Sequence, residues 1–300
     1  MRIRVLSWAM LIFLLSGSLL PLSSYGLRER KTKILTTILP LYIFTRNLTR
    51  GIEGIELELL IDGGKSDPHT YSLTIADVKK IAGSDLIIAN GRAEESIDFS
   101  KIRAANLRAP ILFTHDSSVH GKGLPPVKES NPHTWLSPKR ASLECDAIGI
   151  FLTGAFPEGS YLIRKNLEEY KKSLELLSEW ISRMVFQNRR LRLITFHDAL
   201  DIFAADYGLL APVHVEEVHG IPPSMEKIVF LVKEASSHKG DTVIVSESPH
   251  PDPITRRISE MSGAPIVWFN PILQGKKDDD NLYKKMIEES VEKLLPSSTM

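Results

Sequence analysis

Nine histidines and one cysteine are the residues through which this chain of 300 could do chemistry. His69 stands in S-D-P-H-T-Y and His133 in N-P-H-T-W-L, so nearly the same Pro-His-Thr-aromatic context occurs twice. Proline fixes the approach of the backbone, and the aromatic can pack the turn in place. His197, in T-F-H-D-A-L, ends one apolar run and opens a helical one. A lone histidine is commonly an incidental surface or core residue. Three that follow strands or precede helices stand where open α/β sheets hold ligands. Neutral imidazole is a borderline-soft ligand, and three with one further donor make a tetrahedral site for zinc, copper or nickel. Such a site weakens on acidification, because imidazole must lose its proton to ligate. The single Cys145 excludes an intramolecular disulfide and a Cys-rich zinc cluster, and reads as a small buried hydrophobe in a helix. Two other features carry little. Asn47-Leu48-Thr49 has only the spacing of a glycosylation site, and Asp278-Asp279-Asp280 lacks the spaced ligands and glycine of a calcium loop.

The elements that must position these residues alternate. Short apolar runs at Lys33–Leu39, Ile55–Ile61, Leu86–Ala89 and Ile111–Phe113 read as strands, with helical spacing at Leu41–Leu48 and Thr74–Ala82 between them. Pro40 is expected to end the first strand. Near-continuously apolar strands separated by helices predict parallel βαβ units covered on both faces. The pattern then changes. From Ser160 to about Asn188 there is neither Gly nor Pro, and Ile163, Leu167, Tyr170, Leu174, Leu177, Ile181 and Met184 step by four and three. This predicts one amphipathic helix of ~42 Å, either a surface helix of one domain or a rigid strut between two lobes. Alternation resumes with strands at Arg192–Phe196, Thr242–Val245 and Ile266–Phe269, and helices at Asp198–Asp206 and Ser224–Glu234. The expected fold class is therefore α/β, two lobes of parallel sheet flanked by helices and joined by one long rigid helix. The divisions fall at 27–159, 160–188 and 189–300, and no flexible linker between the halves invites large hinge opening.

Residues 1–26 read as a secretory leader. Arg2 and Arg4 precede an apolar run from Val5 to Leu22, and Ser24 and Gly26 put small residues at the −3 and −1 positions before Leu27. An uncleaved anchor is the alternative, since that run is about 18 residues. Removing 1–26 takes away two arginines and no acid, so a formal net charge of zero becomes −2. With 43% hydrophobic and 25% charged residues the composition is that of a globular chain, and the neutral balance gives no support for nucleic-acid binding. An exported protein is expected, without a lipid-anchoring Cys near the leader's end.

These motifs, in order, resemble the zinc/manganese solute-binding proteins that deliver metal to ABC transporters (cluster A-I, the periplasmic zinc-binding protein family). The likeness runs from about Lys33 to Leu295. It rests on D-P-H-T-Y at 67–71, S-D-L-I-I-A-N-G at 84–91, N-P-H-T-W-L-S-P at 131–138 and N-L-E-E-Y at 166–170, with F-H-D-A-L-D-I-F-A-A-D-Y-G-L at 196–209, V-S-E-S at 245–248 and F-N-P-I at 269–272. The resemblance implies metal held between two lobes by His69, His133 and His197. It implies a periplasmic, monomeric capture protein with no catalytic step, serving an ABC permease and its ATPase. Manganese carriers of the family usually have a carboxylate where this chain has His197, so the expected cargo is Zn2+, with Mn2+ or Fe2+ as the alternative. Many relatives have Asp where this chain has Asn270, which leaves the fourth ligand open among water, Asn270 and a nearby carboxylate such as Glu247, with water or Glu247 preferred. The loop Asp116–Ser130 is short and holds only His120, with His115 just before it, and reads as plain surface in preference to an accessory metal-collecting loop. His214, His219 and His250 are expected in solvent-facing loops. A zinc hydrolase with Glu247 as general base is the rival from another class, but no H-E-x-x-H helix or nucleophile elbow accompanies it.

Overall fold

The computed structural model describes residues 30–62, 71–91, 99–118, 121–216, 221–247, 251–271, 275 and 277–295. The leader, His69, His120, His219 and His250 lie outside them. In chain order the elements are β1 (Thr32–Thr36), α1 (Leu39–Leu48), β2 (Ile55–Leu59), α2 (Ile75–Gly83), β3 (Leu86–Ala89), α3 (Phe99–Ala105), β4 (Ile111–Phe113), α4 (His115–Ser118), a 3-10 turn (His133–Leu136), α5 (Pro138–Ala155) and α6 (Ser160–Gln187). There follow β5 (Arg192–Thr195), a second 3-10 turn (Asp198–Leu200), α7 (Asp201–Tyr207), β6 (Val213–His214), α8 (Met225–Ser237), β7 (Thr242–Ser246), α9 (Pro253–Ser262), β8 (Ile266–Trp268) and α10 (Leu282–Leu294).

Two four-stranded sheets result, in the orders β2-β1-β3-β4 and β6-β5-β7-β8, with every pairing parallel. This is the α/β class expected, built twice with the same topology. Pro40 does more than end a strand. It sits in the first turn of α1, where its missing N–H costs nothing and its fixed φ favours the helix, so α1 begins at Leu39. Thr74 and Asp77 form a capping box on α2, and the Asp252 carboxylate accepts from the backbone N–H of Ile254 and Thr255 at the start of α9. Gly208, at φ 76°, closes α7 in the left-handed conformation that glycine adopts without strain.

The sheets alternate as strands covered on both faces must. In β5 and β7, Leu193, Val243 and Val245 join one core while Ile194 and Ile244 join a second, with Leu231 of α8 and Ile258 of α9. The first core is not confined to one lobe. It runs without a break from Ile34 and Ile87 through the α6 stripe to Phe203, Phe269 and the α10 residues Ile287 and Val291. The 28-residue α6 buries Ile163, Leu174, Leu177, Ile181 and Val185, and Asn166, whose side-chain amide donates to the Leu48 and Arg50 carbonyls at the end of α1. Helix α10 packs on α1 through a Phe44–Tyr283 edge contact at 5.1 Å. A hinge that parted the lobes would have to expose this shared apolar core, which opposes wide opening. The acidic run 278–280 is held by Arg46, which reaches both Asp278 and Asp280. Asn47, in α1, is buried and donates to the Ile43 and Asp280 carbonyls, so the Asn-Leu-Thr spacing there is incidental.

One acid lies wholly inside. Glu144 of α5 has no exposed surface, and burial pushes its carboxyl up to about 7. The Thr134 and Thr114 hydroxyls nearby oppose that rise only in part, since their own protons go to the Pro132 and Ala89 carbonyls and neither makes a standard bond to the carboxylate. The folded state thus holds a proton that the unfolded chain loses near 4.5. The stability this confers is complete below that value and lost as pH rises to about 7. Glu144→Gln, which cannot ionise, should therefore match the unsubstituted metal-free protein most closely below about pH 4.5, gain on it from there upward, and exceed it above pH 7 by roughly 3 kcal/mol. Calorimetric melting of both between pH 5 and 8 checks this; a constant difference would show that Glu144 does not titrate there.

Candidate metal centre

The second sheet reverses its order between β5 and β7, and a cleft opens beyond the carboxyl ends of strands at such a point. His197 follows β5 by two residues and Glu247 follows β7 by one, so the topology alone brings them together. The His197 ring is almost wholly buried, with Nδ1 2.8 Å from Glu247 Oε2. Below it, Thr195 Oγ1 donates to the His197 carbonyl at 2.7 Å and fixes the loop.

His133 arrives from the other lobe at the head of its 3-10 turn and is 2% exposed. Asn131 Oδ1 accepts from both its backbone N–H, at 3.0 Å, and its ring Nδ1, at 2.9 Å. Each ring thus has an oxygen beside its Nδ1 and turns its Nε2 toward the other ring. Those two Nε2 atoms stand 3.3 Å apart. Two nitrogens at 2.0–2.1 Å from a tetrahedral zinc are roughly 3.3–3.4 Å apart, so the spacing is that of a chelating pair.

The meeting of the two turns is braced. Asn131 Nδ2 donates to the Asp198 carbonyl at 2.7 Å, Trp135 Nε1 to the Pro271 carbonyl at 2.8 Å, and Tyr283 Oη to the Trp135 carbonyl at 2.8 Å. Ser137 donates to the Asp206 carboxylate at 2.6 Å. Asn270 is buried just past β8, at the same end of the sheet.

Of the expected ligands the structure brings His133 and His197 together, while His69 lies outside the described residues. Glu247 is placed at Nδ1 of His197. Asp198, which sequence reasoning assigned only to the start of a helix, has its carboxylate within 4.8 Å of ligand atoms of both histidines. His115, just before the Asp116–Ser130 loop, is 7% exposed in α4, with Nε2 2.9 Å from the Glu129 carbonyl. One expectation needs correction. His214 is not in a solvent-facing loop but in β6, with Nδ1 2.9 Å from Thr195 Oγ1 and Nε2 3.2 Å from Asp201. Because the Thr195 hydroxyl is already donating to His197, it accepts from His214, which makes His214 a support of the same loop.

No helix among the described residues is long and apolar enough to cross a membrane. Residues 34–295 match the family described as "Zinc-uptake complex component A periplasmic". The zinc-binding lipoprotein AdcA of Streptococcus pneumoniae is 23% identical over 268 residues, covering 84% of this chain and 52% of that one, so this chain spans about half the length of AdcA. The iron-binding protein YfeA of Yersinia pestis is 26% identical over 281 residues, covering 88% and 85%. Among solved structures, FpvC of Pseudomonas aeruginosa in complex with Mn2+ has a TM-score of 0.75 at 22% identity over 88% of this chain and 97% of its own, a likeness of fold. Since the family match runs from within the first strand to the end of the last helix, the chain belongs to the zinc-uptake component A family, whose members are solute-binding proteins and not enzymes.

Proposed function

We propose that this chain captures Zn2+ outside the cytoplasmic membrane and delivers it to an ABC permease with its ATPase. The observation that carries the reading is the pair of buried Nε2 atoms 3.3 Å apart, one from each lobe, at the spacing of two nitrogens on one tetrahedral ion. The cargo is bound by His133 and His197, with His69 as the third imidazole from the first lobe. Residues 1–26 act as the leader, 27–159 and 189–300 as the lobes and 160–188 as the strut, and the protein works as a monomer. Three nitrogens favour zinc over the harder manganese ion. The names of the relatives span zinc, iron and manganese, so the choice of metal rests on this donor set.

Titration of the metal-free mature chain with Zn2+ and Mn2+ in parallel tests the assignment. Zinc should bind at least ~100-fold more tightly, following the order of divalent affinities at nitrogen sites. Equal or tighter manganese binding would remove zinc as the cargo.

A further inference from the structure

The donors around His133 and His197 can be assigned one at a time. The two nitrogens of an imidazole point in divergent directions, so an oxygen held at Nδ1 is not on the side of the Nε2 lone pair. Glu247 Oε2 lies 2.8 Å from Nδ1 of His197, and Asn131 Oδ1 lies 2.9 Å from Nδ1 of His133. Asn131 is thereby engaged in orienting the His133 ring, and Glu247 stands on the Nδ1 side of His197, outside the group whose ligand atoms converge. Asn270 offers a neutral amide, a weaker donor than a carboxylate. Asp198 remains, its carboxylate within 4.8 Å of ligand atoms of both histidines, and the three make the one His/Cys/Asp/Glu group of this geometry among the described residues.

The backbone of Asp198 is not left to drift. Its carbonyl accepts from Asn131 Nδ2 at 2.7 Å, while the oxygen of that same amide holds the His133 ring. One side chain from the first lobe therefore sets the ring of one ligand and the main chain beside the next. Asp198 is also partly exposed where both histidines are buried. A hydrated cation meets this negative charge before it reaches two neutral imidazoles. A carboxylate at the rim suits both attraction of a divalent ion and an oxygen bond once its waters are shed.

We infer that Asp198 supplies the carboxylate oxygen of the metal shell, in the place that Asn270 cannot fill as an anion. The inference rests on the capture reading and names a donor within it. Asp198 then acts as a ligand and not merely as an acid in the first turn of α7's approach.

The test uses the mature chain, loaded with Zn2+ for affinity and with Co2+ for its visible ligand-field bands. Asp198→Asn should weaken zinc binding by 10-fold or more and change the Co2+ bands. Asp198→Glu should keep an oxygen donor and stay nearer the unsubstituted spectrum. Melting of the metal-free variants should show both folded. Unchanged zinc affinity and an unchanged Co2+ spectrum in Asp198→Asn, with binding still lost in His133→Ala, would overturn this inference alone. Absence of zinc binding in the unsubstituted chain would overturn the capture reading and this inference with it.

Discussion

Alanine at His133 or at His197 lowers Zn2+ affinity by about a hundredfold or more, and alanine at His69 does the same if it closes the shell. Structural zinc sites of four ligands release about 10–16 kcal/mol on binding, or roughly 3 kcal/mol per ligand, which is about a hundredfold in affinity. The two described histidines should show at least that, because each ring already has an oxygen beside its Nδ1 and the two Nε2 atoms stand 3.3 Å apart. Supports of the rings should rank below the ligands. Asn131→Ala and Glu247→Gln leave the lone pairs in place but release the rings, an effect of about 10–100-fold. Competition against a chromophoric chelator measures all of these on one scale. A His197→Ala protein that is folded and binds zinc as tightly as the unsubstituted chain would remove that residue from the site, and the same result at His133 would do so there.

Much of this was legible from the chain. The strands announced themselves as short apolar runs, and the α6 stripe from Ile163 to Ile181 lies on the buried face that its spacing required. His197 stood out as a candidate because it follows a strand, where open α/β sheets hold their ligands. What escaped notice depended on contacts between distant segments. Asn131 looks like any loop amide until it meets a ring two residues on and a carbonyl 67 residues away. Asp198 has the helix-start position typical of acids, and nothing in its neighbours tells that role from ligation. His214 was misread because β6 is two residues long, too short for any period to show. The unity of the lobes was hidden for a related reason. Leu193 and Ile194 are equally apolar, and only the fold decides that one faces the shared core and the other the outer layer.

The largest effect on stability belongs to a residue with no metal contact. Arg140 of α5 and Asp206 of α7 have side chains with no exposed surface, paired through Nε to Oδ2 at 2.9 Å and Nη2 to Oδ1 at 2.8 Å. The guanidinium also donates to the Ser118 and Pro125 carbonyls, and Lys139 donates to the Asp206 carbonyl. Helix α5 follows directly from the His133 turn and α7 from the His197 turn, so this pair ties together the two supports of the site. Removing one partner strands the other charge in the core, which costs about 3–5 kcal/mol. Arg140→Ala should accordingly lower the melting temperature by roughly 6–20 °C for a chain of this size. Replacing both partners by apolar residues, Arg140→Met with Asp206→Leu, removes the stranded charge and should recover much of that loss, though not all, because the Ser118 and Pro125 carbonyls lose their donor. Calorimetry on the two single variants and the double variant gives the coupling directly. Additive losses would show that the charges act independently, and a single-variant loss under about 1 kcal/mol would place the pair among ordinary surface contacts. A non-additive result would show that paired charge, beside the shared apolar core, joins the helices that follow the His133 and His197 turns.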